Sequence, residues 1–113
     1  MSFLKDLCSK NRERQKIWDK DGVLDEMFKT VELVGEVGEL CNNIKKIKRL
    51  ELGLKGSRCS REDLESEFGD VLITLTLLAD YCGVDLEKVT IEKFNNTSKK
   101  QGFNVFLSGD NDD

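Results

Sequence analysis

Apolar residues recur at three- and four-residue intervals through a long central stretch of the chain. This spacing predicts one long amphipathic helix that begins near Asp25, a good N-cap residue, and ends before Gly53 and Gly56. The chain has no proline, and its glycines lie mostly at the ends of such segments. The pattern favours an all-α fold. The apolar positions are Phe28, Val31, Val34, Val37, Leu40, Cys41, Ile44, Ile47 and Leu50.

Caps and turn residues delimit three further helices, so the sequence predicts four helices in total. Ser60 and Asp63 form a capping-box pattern at the start of the third helix, and Gly102 ends the fourth. The turn between the third and fourth helices is short, which predicts a helical hairpin. The three ranges are about Phe3 to Asp19, Ser60 to Gly83 and Asp85 to Gln101.

The later part of the third helix, from Phe68 to Ala79, is apolar on nearly all sides. Such a helix must be covered all round, and a small four-helix monomer has too little other surface to cover it. We therefore expect a homodimer or homotetramer in which this helix is central. One four-helix bundle domain accounts for residues 1–107, with the apolar segment 103–107 docked on its body. Residues 108–113 form an acidic tail that we expect to be disordered.

Charge and hydropathy exclude several classes of partner. The net charge is -4, which argues against stable nucleic-acid binding. The longest apolar run lies between Val71 and Ala79 and is shorter than the roughly 20 residues of a membrane span. Charges at Lys5 and Asp6 interrupt the N-terminus early, so no signal peptide is expected and the cytoplasm is the expected compartment.

The four cysteines are widely spaced, and the chain has no histidine. A structural zinc site is therefore not expected, and we expect Cys41 and Cys82 to pack as small hydrophobic side chains. Without histidine the commonest general base is also missing. If the protein is an enzyme, its chemistry depends on carboxylates.

One face of the second helix carries a stripe of acidic side chains. Glu32, Glu36, Glu39 and Asn43 fall within an arc of about 60° on an ideal helix. Like charges at these spacings repel each other. The stripe is either a solvated surface or the binding face for a cation.

Glu67 and Asp70 stand three residues apart where the third helix becomes apolar. A charge buried there without a partner costs several kcal/mol, roughly. Carboxylates on facing helices are the oxygen ligands that Mg²⁺ prefers, and helical bundles build metal sites in this way. The two helices together predict a carboxylate metal site.

The fourth helix presents Lys93, Asn96 and Lys100 on one face, which is either a contact surface for phosphate or sugar or a solvated face. Trp18, the only tryptophan, either stacks on a base or packs in the core.

Three strings of residues follow each other in order: GEVGEL at 35–40, EFGDVL at 67–72 and GVDL at 83–86, leading to Lys93. This arrangement, E-x-x-E followed by E-x-x-D, resembles the MazG-like nucleotide pyrophosphohydrolases of the all-α NTP pyrophosphatase superfamily. The resemblance covers about Arg14 to Leu107.

The resemblance implies cleavage of a (d)NTP to (d)NMP and pyrophosphate, with Mg²⁺ as cofactor, Mn²⁺ as a substitute, and a house-cleaning role in the nucleotide pool. By position, Glu36, Glu39, Glu67 and Asp70 would hold the metal. Glu36 and Glu39 are the candidate general bases. The resemblance also favours Lys93 and Lys100 as substrate contacts, with either Asn95 or Asn96 as the amide between them. Asn96 and Trp18 are candidate substrate contacts by residue type and position.

At Gly35 many members carry a further glutamate, and Glu32, one turn earlier, either replaces it or does not. Two other functions stay open beside the enzymatic one. The domain could be a non-catalytic helical interaction module, or it could bind nucleotides as a sensor. The residues alone do not decide the base or sugar preference.

Overall fold

The computed structural model describes residues 2–109, and within them it contains four α-helices and no strand. The all-α prediction is confirmed. Of the predicted acidic tail, Ser108 and Gly109 are exposed, and residues 110–113 lie outside the described range. The helices are α1 (Phe3–Trp18), α2 (Glu26–Glu51), α3 (Arg61–Tyr81) and α4 (Leu86–Gln101).

Each helix begins where a local side chain satisfies its first free backbone amides. The Asp25 carboxylate accepts a hydrogen bond from the Phe28 amide at 3.0 Å. Ser60 and Asp63 form the reciprocal capping box at the start of α3. Gly102 ends α4 with φ of 72°, a backbone conformation that glycine adopts without strain. These caps are local in sequence, and for this reason the predicted helix bounds are close to the observed ones.

The helices do not pack equally. α2 packs extensively against α3, α1 packs on α3, and α4 makes only sparse contact with α3. The hairpin that we predicted from α3 and α4 is therefore the looser pair, and α2 with α3 is the main one. In the loop between α2 and α3, the side chains of Arg49 and Arg58 donate hydrogen bonds to backbone carbonyls. Ser60 then caps the start of α3.

Helix α1 is joined to α3 by polar contacts. The buried Asn11 amide donates to Thr76 Oγ1 at 2.7 Å and to the Ile73 carbonyl at 3.3 Å. Arg12 also forms an ion pair with Asp80 at 2.7 Å. Because a buried amide needs these acceptors, the contact fixes how α1 lies on α3.

The single chain is flat and has little closed core. It measures 51 × 48 × 23 Å, with a radius of gyration of 17.6 Å, against about 13 Å for a compact chain of this length. Among the hydrophobic residues in the described range, Leu64 alone is buried, with 7% exposure. Most of the apolar surface that the sequence supplies is therefore open in one chain.

One face of α2 and one face of α3 each carry a row of exposed apolar side chains. We expected Cys41 and Cys82 to be packed, and that prediction is wrong for the single chain, in which both are exposed. The positions on each face follow each other at intervals of four, three and seven residues. They are Met27, Val31, Val34 and Cys41 on α2, and Phe68, Leu72 and Leu75 on α3 with Cys82 at its C-cap.

The segment after α4 lies against the body through its backbone. The Asn95 side chain accepts from the Leu107 amide at 2.7 Å and donates to the Leu107 carbonyl at 3.0 Å. The apolar side chains of Phe103, Val105, Phe106 and Leu107 stay exposed. The backbone of Leu107 is thus tied to α4, but the apolar burial that we predicted for residues 103–107 is not observed in the single chain.

None of the helices in residues 2–109 is both long enough and apolar enough to cross a membrane.

Candidate metal centre

Three of the predicted carboxylates meet where α2 packs against α3. Glu36 comes from α2, and Glu67 and Asp70 come from successive turns of α3. One oxygen from each of the three side chains can be chosen so that all lie within 4.8 Å of one another. The i, i+3 spacing turns Glu67 and Asp70 to the same side of their helix, and the α2–α3 contact brings Glu36 opposite them.

Two oxygens of this cluster are buried without any donor. Glu67 is 8% exposed, and its Oε1 atom has no hydrogen-bond partner; Glu36 Oε2 is in the same state. A carboxylate oxygen removed from water and left unpaired is costly, because its lost hydration is not replaced. The cluster therefore has a deficit of positive charge and of donors.

The same deficit is visible in the protonation of Glu67. Its pKa is raised to about 8, first by sharing a hydrogen bond with Glu36, then by burial, and then by repulsion from Glu36, Glu39 and Asp70. Without a cation, this raised pKa favours the protonated form of Glu67 at neutral pH, and a proton shared with Glu36 would supply the donor that the two oxygens otherwise lack. A cation bound here would take over the role of that proton.

The donor set suits a hard divalent cation. All three ligand groups offer oxygen, and no thiol or imidazole competes in the cluster. Mg²⁺ and Mn²⁺ favour such oxygen donors, whereas zinc and copper favour nitrogen and sulfur. The unpartnered buried oxygens and the donor chemistry together fit a divalent cation.

Glu39, the fourth predicted ligand, lies at the edge of this arrangement. It is exposed and does not belong to the group of three. It is still near enough to raise the pKa of Glu67. The structure thus gathers three of the four predicted carboxylates and leaves Glu39 beside them, open to water.

In the single chain, the residues predicted to contact substrate do not lie in the carboxylate cluster. Lys93, Asn96 and Lys100 are exposed on α4, and within residues 2–109 no described ion pair or hydrogen bond engages them. The Asn95 amide is already committed to the backbone of Leu107. Of the two asparagines considered for the amide contact, Asn96 is the free one.

Trp18 lies at the end of α1 and is 62% exposed. Its ring centroid is 6.3 Å from that of Phe28 and 5.1 Å from the Lys29 ammonium. Neither of the two roles considered for it is complete in the single chain, since the ring packs on one side and is open on the other.

Lys29 was not among the functional residues predicted from the sequence. Its side chain is 1% exposed and bonds to Gln15 at 3.2 Å and Glu32 at 2.9 Å. The only local signal was the i, i+3 spacing of Lys29 and Glu32, which many surface helices share. Burial of the lysine depends on α1 and α3, which no local pattern reveals.

Comparison with known proteins identifies the family of the chain. The family model described as "MazG nucleotide pyrophosphohydrolase domain" matches residues 28–101, a range that contains the whole carboxylate cluster. The chain is also similar to the "Gene 37 protein" of Mycobacterium phage L5, with 36% identity over 94 residues, 82% of this chain and 82% of that protein. That protein's name states no activity. The match over most of the four-helix region shows that this chain belongs to the MazG nucleotide pyrophosphohydrolase domain family.

Proposed function

We propose that this protein is a Mg²⁺-dependent nucleoside triphosphate pyrophosphohydrolase that converts (d)NTP to (d)NMP and pyrophosphate. One observation carries the proposal: two buried carboxylate oxygens, on Glu36 and Glu67, lack any donor and face Asp70 across the α2–α3 contact. The proposed role is house-cleaning of the cytoplasmic nucleotide pool.

The cation would be held by Glu36, Glu67 and Asp70, with Glu39 completing the set from the edge of the cluster. A bound Mg²⁺ supplies positive charge that neutralises phosphate oxygens, and Mn²⁺ is the expected substitute. The protein's contribution is to hold these carboxylates together before the metal arrives. The α2–α3 packing does this, since it keeps Glu67 buried at the cost of a raised pKa.

Hydrolysis also needs a group that accepts a proton from water. Glu39 is exposed beside the cluster, so it can contact a water molecule and return the proton to solvent. Glu36 is the other candidate, but its Oε2 atom is buried. Attack of the water oxygen on the α-phosphorus breaks the bond to the oxygen that bridges the α- and β-phosphates, and pyrophosphate leaves with that oxygen.

Substrate binding is proposed for the exposed face of α4. Lys93 and Lys100 offer cations for the phosphate chain, and Asn96 offers an amide for phosphate or sugar. Trp18 offers an open ring face for a base. The exposed apolar faces of α2 and α3 support assembly into a homodimer or homotetramer, because four-and-three spacing is the pattern of packed helix pairs.

The test is a product assay on purified protein with a panel of ribo- and deoxyribonucleoside triphosphates, run with Mg²⁺, with Mn²⁺ and with chelator. We expect metal-dependent release of pyrophosphate, and the fastest substrate identifies the base and sugar preference. Orthophosphate release would show that a different bond is cut. Nucleotide binding without any turnover, by folded and metal-loaded protein, would support the nucleotide-sensing module. Neither binding nor turnover would support the helical interaction module.

A further inference from the structure

Lys29 is a buried charge on α2 outside the carboxylate cluster. Its ammonium lies 5.1, 5.4 and 5.8 Å from the ring centroids of Trp18, Phe28 and Tyr81. The electron-rich faces of aromatic rings attract a cation. They do not replace a countercharge, however, and a fully buried ammonium needs one.

Glu32 is the countercharge. Its Oε1 atom lies 2.9 Å from the Lys29 ammonium, and the side chain of Glu32 is 37% exposed. The side-chain oxygen Oε1 of Gln15 accepts a second hydrogen bond from the same ammonium at 3.2 Å. Lys29 and Glu32 therefore form a neutral ion pair. The Gln15 side chain of α1 and the three aromatic rings hold the Lys29 ammonium in place.

The position of Glu32 gives this pair a consequence for the metal centre. Glu32 precedes Glu36 by one helical turn, and such side chains have Cβ atoms about 5–6 Å apart. A free Glu32 carboxylate could turn toward Glu36 and join the cluster. The ion pair turns it the other way, toward the preceding turn of α2, and Glu32 is not among the three carboxylates that meet.

We propose that Lys29 is a positioning residue that holds Glu32 out of the metal centre and cancels its charge there. Glu32 accordingly does not replace the glutamate that many family members carry at the position of Gly35. This inference rests on the proposed function, since it concerns the metal of that site. Lys29 thereby affects the net charge of the metal centre, although it touches neither metal nor substrate.

The test is a cycle of three full-length variants: Lys29→Met, Glu32→Gln and the double substitution. Methionine is chosen because its thioether fills an aromatic cage without charge. The readout is the dissociation constant for Mn²⁺, measured from the electron paramagnetic resonance signal of the free ion in the absence of nucleotide. Trp18 fluorescence, from the only tryptophan in the chain, reports whether the cage keeps its packing.

We expect Lys29→Met to tighten Mn²⁺ binding by about three- to tenfold, because it leaves Glu32 as an unpaired negative charge one turn from the centre. Glu32→Gln should weaken binding by a similar factor, because it leaves Lys29 unpaired. The double variant should bind Mn²⁺ as the wild type does. A purely structural role for Lys29 predicts weaker or unchanged binding in Lys29→Met, with no recovery in the double variant.

Unchanged or weaker Mn²⁺ binding in Lys29→Met with wild-type Trp18 emission overturns the inference. If Lys29→Met does not fold, Glu32→Gln decides alone, and unchanged or tighter binding there overturns it. Wild-type protein that binds no Mn²⁺ refutes the metal centre of the proposed function, and this inference with it. Wild-type binding with no response in the cycle refutes the inference alone.

Discussion

Helix α2 carries one fully buried charge, on Lys29, and one partly buried group of charges around Glu36, and the side chains around the two centres differ. Lys29 is enclosed by three rings and neutralised by Glu32. Two turns later, Glu36 meets Glu67 and Asp70, and two of the buried oxygens there have no partner. The first, closed centre is neutralised by the protein's own side chains, whereas the second, open centre keeps buried oxygens that have no donor among the described residues. We propose that a cation binds at the open centre.

The largest effect is expected from Asp70→Asn, which removes a charge from the open centre. An amide binds Mg²⁺ more weakly than a carboxylate, so kcat for pyrophosphate release should fall by about 100-fold or more. The metal-free fold should stay intact, because the substitution relieves repulsion on Glu67. The product assay and a thermal unfolding curve measure the two effects.

The matched control is Glu62→Gln on the same helix, an exposed carboxylate outside the cluster. It should keep wild-type turnover. Parental turnover in Asp70→Asn would show that the open centre is not the metal site. A lowered unfolding midpoint in metal-free Asp70→Asn would contradict the repulsion argument.

The next effect concerns pH in protein stripped of metal by a chelator. The pKa of Glu67 is about 8 in the fold, against 4.5 as the ordinary value, so between these pH values the folded state binds more protons than the unfolded state. The contribution of Glu67 to the free energy of unfolding is fully present below pH 4.5 and is lost as the pH rises through 8. The thermal midpoint should fall between pH 6 and pH 8.5, at constant protein concentration.

Two comparisons sharpen this pH prediction. Glu67→Gln should flatten the pH dependence, because the glutamine has no proton to lose. Added Mg²⁺ should raise the midpoint more at pH 8 than at pH 6, since it competes with the proton of Glu67. A midpoint that is independent of pH in the wild type would mean that Glu67 does not carry the proton.

The smallest effect is expected at the closed centre, from Trp18→Leu. This change removes one of three rings around Lys29 and leaves Glu32 in place, so the loss should be about 1 kcal/mol of unfolding free energy. Denaturant titration followed by circular dichroism measures it. Phe3→Leu, an exposed position on the same helix, is the control. A loss several times larger would mean that the rings, and not Glu32, compensate the lysine.

Much of the open centre could be predicted because its signal is local. Glu67 and Asp70 share a helix face by spacing alone, and Glu36 lies on a stripe whose charge is unusual beside an apolar face. The closed centre could not be predicted in this way. Lys29 is an ordinary helix residue until α1 brings Gln15 and Trp18 against it, and that contact joins residues far apart in sequence.

Burial was the least predictable quantity. The sequence indicated that α3 is apolar on nearly all sides, yet in one chain Phe68, Leu72 and Leu75 are exposed. Hydropathy states how much surface a helix needs to bury, and it does not state whether the same chain supplies the cover. This distinction is the reason that Cys41 and Cys82 were wrongly expected to be packed.

The sequence by itself determined the four helices, their caps and the faces on which the carboxylates stand, because hydrogen bonds between near neighbours and the 3.6-residue period act locally. Only the tertiary structure decided which charges are paired with the protein's own side chains and which are left without a partner. That decision depends on burial and on partners from other helices, and the free energy of a charge changes far more with these than with its place along one helix.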